Sequence, residues 1–417
     1  MTRRDADVAV VGGGVTGCGV ARDLAMRGLD VVLLERDALD AGTSGRSHGL
    51  LHSGARYAIQ SPESARHCLE ENRVLRAIAP HCLDETGGVL VALPDDDRAQ
   101  AAEKVEACRE IGMDVETDGV VAPDGLADEA EVVALVPDAV VYPTRLVAAT
   151  ALDAADRGAE IVTGAPVTDV ERRDGATMVE VNDGVARYAV DHAVLAAGAW
   201  TGELAAMAGV AVELEPTAGT MVTVEYPDLD VVLNRARPPS DGDIAVPHPA
   251  TAVLGTTSEP VDDPDDVGDG DGRSGSADEP GADRRDAAIE TVVEECARML
   301  PALADAPVQR VYRGVRPLYS PNQAQGDRSI SRDLAVLRHG ERDGVSGLTS
   351  VVGGKLTTHR LMAERAADAV CDALGVGAPC RTAEEPLPGA ESDGGRVRRF
   401  AREHNAPAPA DADVTSL

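Results

Sequence analysis

Lysine is almost absent from this 417-residue chain: Lys104 and Lys355 are the only two among 39 basic residues. Aromatics are nearly as scarce, at 2%, with one Phe and one Trp. The seven cysteines (Cys18, Cys68, Cys82, Cys108, Cys296, Cys371 and Cys380) are scattered, odd in number and form no C-x-x-C. That pattern excludes a disulfide framework and a zinc or iron–sulfur site within the chain, and it suits a reducing compartment. No apolar run approaches membrane-spanning length. The short run after the N-terminal arginines breaks into glycines, as a strand does and a signal peptide does not. With a net charge of −33, nucleic acid and a bare anionic membrane surface are poor partners. An acid-rich, lysine-poor composition fits a salty cytosol, where self-repulsion is screened. Drift in a GC-rich genome produces a similar bias, and the two are compatible.

What is present is a globular chain, 43% hydrophobic and long enough for two intimately packed domains. It opens with "DVAVVGGGVTGCGVARDLAMRGLDVVLLER". The continuous apolar run Val8 to Val11 is that of a buried parallel strand, and helical periodicity follows through Val20 and Leu24 until Gly28. "LDVVLLER" is a second buried strand, so the opening is a βαβ unit. Gly12, Gly14 and Gly17 supply G-x-G-x-x-G at the strand-to-helix turn, and Glu35 ends the second strand about twenty residues on. The first glycine permits the turn, the second lets backbone approach a pyrophosphate, and the third lets helix and strand pack. The acid accepts bonds from ribose hydroxyls. The irregular "AGTSGRSHGLLHSGARY" comes next, where a nicotinamide-binding domain would proceed to another βα unit. Its backbone amides and small hydroxyls suit a cofactor lying further across the sheet, as FAD does.

Further along, "PESARHCLEENRVLRAIAP" reads as an amphipathic helix, "GGVLVALP" as a strand and "DRAQAAEKVEACREIG" as a surface helix. Residues 164–200 read as an antiparallel meander leading into a buried strand that ends at Ala197-Gly198. Val261 to Asp286 has almost no apolar content and reads as a solvated, mobile loop; its spacing does not fit a calcium loop. Residues 381–417 are Pro/Ala/Asp-rich and read as a poorly structured tail. The second lysine lies in "LTSVVGGKLTTHRLMAE". A phosphate-binding P-loop fails there, because Thr349 stands where its first glycine belongs and Leu356 follows Lys355.

Several motifs together resemble one family. The N-terminal stretch through "HSGARY", then "NRARPPSDGDIAVPHPATAVLGTTS", "YRGVRPLYS", "SISRDLAVL" and "VVGGKLTTHRLMAE" occur in the order found in FAD-dependent glycerol-3-phosphate dehydrogenases. The likeness is greatest to the catalytic (A) subunit of the anaerobic type, and it covers most of Asp5 to about Pro388. It implies an α/β fold of the D-amino-acid oxidase superfamily. A Rossmann-like FAD-binding domain of the glutathione-reductase type (1–85, 143–212 and 335–378) is interleaved with an antiparallel-sheet substrate domain (86–142 and 213–334). It implies oxidation of sn-glycerol 3-phosphate to dihydroxyacetone phosphate, by hydride transfer to flavin N5. Electrons then pass through sister subunits to a membrane quinone. With no apolar anchor, the chain is expected to be cytoplasmic and held peripherally at the membrane through those partners.

By the same resemblance, Arg56, Tyr57, Arg316 and Arg332 line the substrate site. Arg36, Thr43, Ser44, Ser47, Gly49, Val167, Ala197, Gly198, Gly354, Lys355, Leu356 and Thr357 join Gly12, Gly14, Gly17 and Glu35 around FAD. Arginine's planar fork suits a phosphate dianion. His52 is the best candidate for the base that takes the hydroxyl proton; its alternative is a structural imidazole bonding the loop. Lys355 can hold a developing alkoxide, offset charge on the reduced flavin, or act as the base. No metal is expected. The resemblance departs at Tyr142, where an acid is usual, at Ala218, where a lysine is usual, and after Pro388. There longer members carry a cysteine-rich domain, so another polypeptide, another electron route or a truncated paralogue is expected. A 2-hydroxyacid or amino-acid oxidase, and an inactive flavin-binding scaffold, are the rival readings.

Overall fold

A computed structural model describes residues 2–173, 175–267, 282–319, 333–390 and 394–405. The first strand, β1 (Thr2–Val11), leads through the glycine turn into α1 (Val15–Met26) and then β2 (Val31–Leu34). β1 pairs in parallel with β2 on one side and with Ala186–Leu195 on the other. Glu160–Val162 extends the sheet beyond β2, and Leu348–Gly353 extends it beyond Ala186–Leu195. Strand alternation divides the core. Val8 and Val10 pack with α1 and with the helices Pro143–Asp156 and His359–Leu374. Ala9 and Val11 face the opposite layer, where the meander Val167–Arg173, Ala176–Val181 and Ala186–Leu195 covers the sheet.

The second sheet is built from Gly88–Ala92, Glu131–Val136 and strands between Leu214 and Tyr319. It is antiparallel except where Val232–Arg235 runs parallel to Gly88–Ala92. The helix Ala282–Met299 buries Val292, Cys296 and Met299 against one face. On the other face, Met221, Val246, Val253 and Tyr312 meet Leu50, Val140 and Tyr142. The strand Val308–Tyr319 carries the connection to the site. Its period of two puts Tyr312, Gly314 and Arg316 on the same side. Tyr312 Oη donates to Ser47 O at 3.0 Å, and a Cβ on Gly314 would lie 2.8 Å from Arg46 O.

Three local readings need correction. The tail from 381 is ordered as far as it is described. Gly394–His404 is a helix whose Val397 and Ala401 enter the core beside Pro143–Asp156, and Leu39 N–H donates to His404 O at 2.8 Å. The buried Arg22 guanidinium, paired with Asp153 at 2.6 Å, also donates to Thr382 O and Glu385 O. The apolar spacing in "GGRVRRFAREH" is short and surrounded by arginine, so composition hid it. The acidic segment 261–286 has structured ends, a 3-10 turn at Pro264–Val267 and the helix from Ala282; residues 268–281 lie outside the described residues. Arg98–Glu110 is not simply a surface helix, because Lys104 is 2% exposed and donates to Arg237 O at 2.6 Å.

Burial also gives the fold a pH signature. His359, at the start of the helix after the Lys355 turn, is held down to about 4 by burial, ahead of a carbonyl bond that opposes the shift. The unfolded imidazole, near ~6.5, takes up a proton first as pH falls. Its contribution is therefore fully present above about pH 6.5 and lost towards pH 4, on the order of 3 kcal/mol. Buried acids titrate over part of this range with the opposite sign, so the check is a difference. Urea unfolding of wild type and His359→Gln from pH 7 to 4 should show wild type losing more stability on acidification.

Candidate active site and cofactor cleft

The glycine turn is sterically compulsory. Gly12 has φ +114°, and a Cβ there would stand 2.5 Å from Ala196 O. A Cβ on Gly17 would overlap the Gly12 carbonyl oxygen. Gly14 caps α1 without a side chain, leaving the positive helix end facing the cleft. The first-turn amide of Val15 donates to Ser44 Oγ at 3.0 Å. Glu35 accepts from Gly13 N–H at 2.6 Å and Asp37 N–H at 2.9 Å, and burial pushes its carboxyl above the usual range.

From this end a cavity of about 900 Å³ runs between the two sheets. Its walls include Gly12, Gly14, Glu35, Arg36, Thr43, Ser44, Ser47, Val167, Ala197, Gly198, Gly354 and Leu356. His52, Tyr57, Arg316 and Lys355 also belong to its lining. The bare glycines, the helix end and the partly buried acid at one end fit a dinucleotide. The length of the cleft, and the small hydroxyls of Thr43, Ser44 and Ser47, fit FAD.

Lys355 sits on a turn that needs both preceding glycines, at φ +74° and +69°. A Cβ on Gly354 would run into the Met362 side chain. The Lys355 N–H donates to Thr358 Oγ1 at 3.0 Å, closing the first turn of the helix behind it. Its ammonium donates to Ser64 Oγ at 2.6 Å and lies 4.3 Å from the centroid of the Tyr57 ring. The Tyr57 ring meets the His52 ring edge-on at 5.3 Å. His52 is held by its backbone: its N–H donates to Thr357 Oγ1 at 3.0 Å, and Asn72 donates to its carbonyl at 3.3 Å. Arg316 reaches in from the second sheet and donates to Thr256 Oγ1 at 2.9 Å and Thr257 O at 3.0 Å. It fits only because Gly219, on the paired strand, has no Cβ to overlap its guanidinium.

Four expected site residues lie outside the cleft wall. Arg56 is not in the cleft wall; its guanidinium lies 3.5 Å from the fully buried Asp243 carboxylate and 3.4 Å from Ser240 O. Neighbouring residues on the 3-10 turn Ala55–Tyr57 point apart, and a buried carboxylate demands a cation. Gly17 serves helix–strand packing, and Thr357 holds His52 from behind. Gly49, at φ +73°, passes closely by His248 and accepts from Val141 N–H at 2.7 Å. Arg332 lies outside the described residues. Of the two departures, Tyr142 donates to Asp84, and Ala218 is buried opposite Val315. Ser64, Asn72, Gly219, Thr256 and Thr257 escape a reading of the sequence. They act through long-range contacts for which no local pattern exists.

A glycine-rich strand–turn–helix, a partly buried acid and a long cleft closed by an antiparallel sheet define a flavin-dependent oxidoreductase. The chain belongs to the FAD dependent oxidoreductase family, which matches residues 7–369, and within it to the A subunits of the anaerobic glycerol-3-phosphate dehydrogenases. It is 44% identical over 409 residues to the A1 subunit of the Haloferax volcanii anaerobic glycerol-3-phosphate dehydrogenase, covering 93% of this chain and 67% of that one. It is 40% identical over 406 residues to the corresponding subunit of the Escherichia coli enzyme, covering 94% and 72%. Among solved structures, glycine oxidase from Geobacillus kaustophilus aligns with a TM-score of 0.72 at 22% identity, covering 92% of this chain and 99% of that one. Glycerol-3-phosphate dehydrogenase from Bacillus halodurans, complexed with FAD, aligns at 0.65 and 23%, covering 96% and 71%. These two likenesses establish the fold.

Proposed function

We propose that the chain oxidises sn-glycerol 3-phosphate to dihydroxyacetone phosphate with FAD as its cofactor. The observation that carries this reading is the convergence of His52, Tyr57, Lys355 and Arg316 in one dinucleotide cleft, in a chain whose relatives are named for that activity. Bound FAD supplies the acceptor for two electrons. The residues supply the rest. Arg316, anchored by Thr256 and Thr257, offers a fixed guanidinium to the phosphate. His52, whose backbone is tied down by Thr357 and Asn72, takes the hydroxyl proton in this reading. Lys355 sets a compact cation beside Tyr57, where negative charge develops as that proton leaves. Thr43, whose hydroxyl donates to Val315 O at 2.5 Å, ties the cofactor loop to the Arg316 strand.

Electrons are proposed to pass to sister subunits and onward to a membrane quinone; the relatives are themselves named as single subunits of larger enzymes. No helix among the described residues is long and apolar enough to cross a membrane. Attachment at the cytoplasmic face through those partners is the corresponding proposal. The test is an anaerobic titration. Glycerol 3-phosphate should bleach the flavin absorption band, whereas 2-hydroxyglutarate and D-amino acids should leave it intact. Bleaching by an amine alone would overturn the assignment, and no bleaching by any of them would favour a flavin-binding scaffold.

Arg316→Ala should raise KM by about 10–100-fold with a smaller change in kcat, the loss expected for a charged hydrogen-bond donor to substrate. Lys355→Arg separates charge from shape. A guanidinium cannot reproduce a compact ammonium between Ser64 and the Tyr57 ring, so kcat should fall. Full turnover in that variant would show that charge alone matters.

A further inference from the structure

We propose that Asp265, carried on the Pro264–Val267 turn of the second domain, clasps the Glu35 end of the cleft through Arg36 and Trp200 and so sets how fast FAD is released. The inference rests on the flavin reading of the cleft and adds a retaining contact to it. Trp200 is the only tryptophan in the chain. Its Nε1–H donates to Asp265 Oδ1 at 2.8 Å. The Arg36 Nη2 stands 3.1 Å from the same oxygen, and the Arg36 guanidinium lies over the indole, 4.4 Å from its centroid. The indole in turn rests on the cofactor loop, since a Cβ on Gly42 would be 3.5 Å from its ring. Asp265 is pre-positioned by its own N–H, which donates to Asp263 Oδ1 at 2.8 Å.

The three residues come from three places: the end of β2, the turn after Ala186–Leu195, and the second domain. All three line the cleft, and Arg36 directly follows Glu35. A partly exposed ion pair contributes little alone. Here one carboxylate oxygen receives two donors while its cation stacks on an aromatic face, which makes the contact charge-assisted and directional. It is also a tie between the domains at the rim of the cofactor cleft, so breaking it frees the second domain at that end.

The experiment dilutes holoenzyme and follows free FAD by its fluorescence. Asp265→Ala and Trp200→Phe should release FAD about three- to tenfold faster than wild type, the loss of one or two charge-assisted hydrogen bonds. Asp262→Ala removes the same charge from an exposed neighbour on the same segment and should release FAD at the wild-type rate. Trp200 emission from the Asp265→Ala holoenzyme should shift to the red as its indole N–H loses its partner. Equal release rates for Asp265→Ala and Asp262→Ala would overturn the clasp while leaving the flavin reading intact. Failure of the wild-type protein to hold FAD would instead remove the flavin reading, and the clasp with it.

Discussion

Gly17→Ala is expected to weaken FAD binding by about 10–100-fold, the equivalent of the roughly 1–3 kcal/mol that an overpacked methyl costs. The physical reason is the position of the added carbon. It would occupy the space of the Gly12 carbonyl oxygen, which is backbone and cannot rotate away. Relief requires α1 to move off β1 or the turn at Gly12 to open. Either movement displaces the helix end that faces the cleft. Gly28→Ala is the matched control: it sits at positive φ, +86°, but a Cβ there meets nothing within 4 Å. It should cost modest stability and leave flavin content unchanged. Flavin-to-protein absorbance ratios and equilibrium binding of FAD measure both. A Gly17→Ala protein with wild-type flavin affinity would show that the turn tolerates a displaced helix.

His52→Ala should lower kcat by about 10²–10⁴-fold with a much smaller effect on KM, the signature of a lost general base. The geometry favours this role because the structure restrains the backbone of His52 and sets its ring against Tyr57, in the same cleft as Lys355. His52 is 8% exposed, dry enough for a positioned proton acceptor to matter. Flavin content should stay at the wild-type level, which distinguishes a lost base from a damaged cleft. An unchanged kcat would remove His52 from the chemistry and leave Lys355 as the group to test.

Much of the cofactor site is legible in the sequence for a definite reason. The β1–α1–β2 unit is specified by residues adjacent in sequence: an apolar run, three glycines at fixed spacing, a helical stripe and an acid. The same holds for the Lys355 turn, whose two glycines and following threonines make a local structure. Where expectation and structure part, the deciding partner lies far along the chain. Arg56 turns towards Asp243, almost two hundred residues away, because that carboxylate is fully buried. Lys104 is drawn inward to the Arg237 carbonyl. Val397 and Ala401 form a helix face because a groove beside Pro143–Asp156 receives them.

The sequence by itself therefore determined the βαβ dinucleotide unit through local periodicity and spacing, while the two-sheet architecture and the family followed from the resemblance of its motifs. Tertiary structure alone decided which side chains share the cleft. It placed Tyr57 there instead of Arg56, made room for Arg316 through the missing side chain of Gly219, and brought Asp265 onto Trp200. Those outcomes depend on burial and on charge pairing between segments far apart in the chain. Residue spacing carries no record of either.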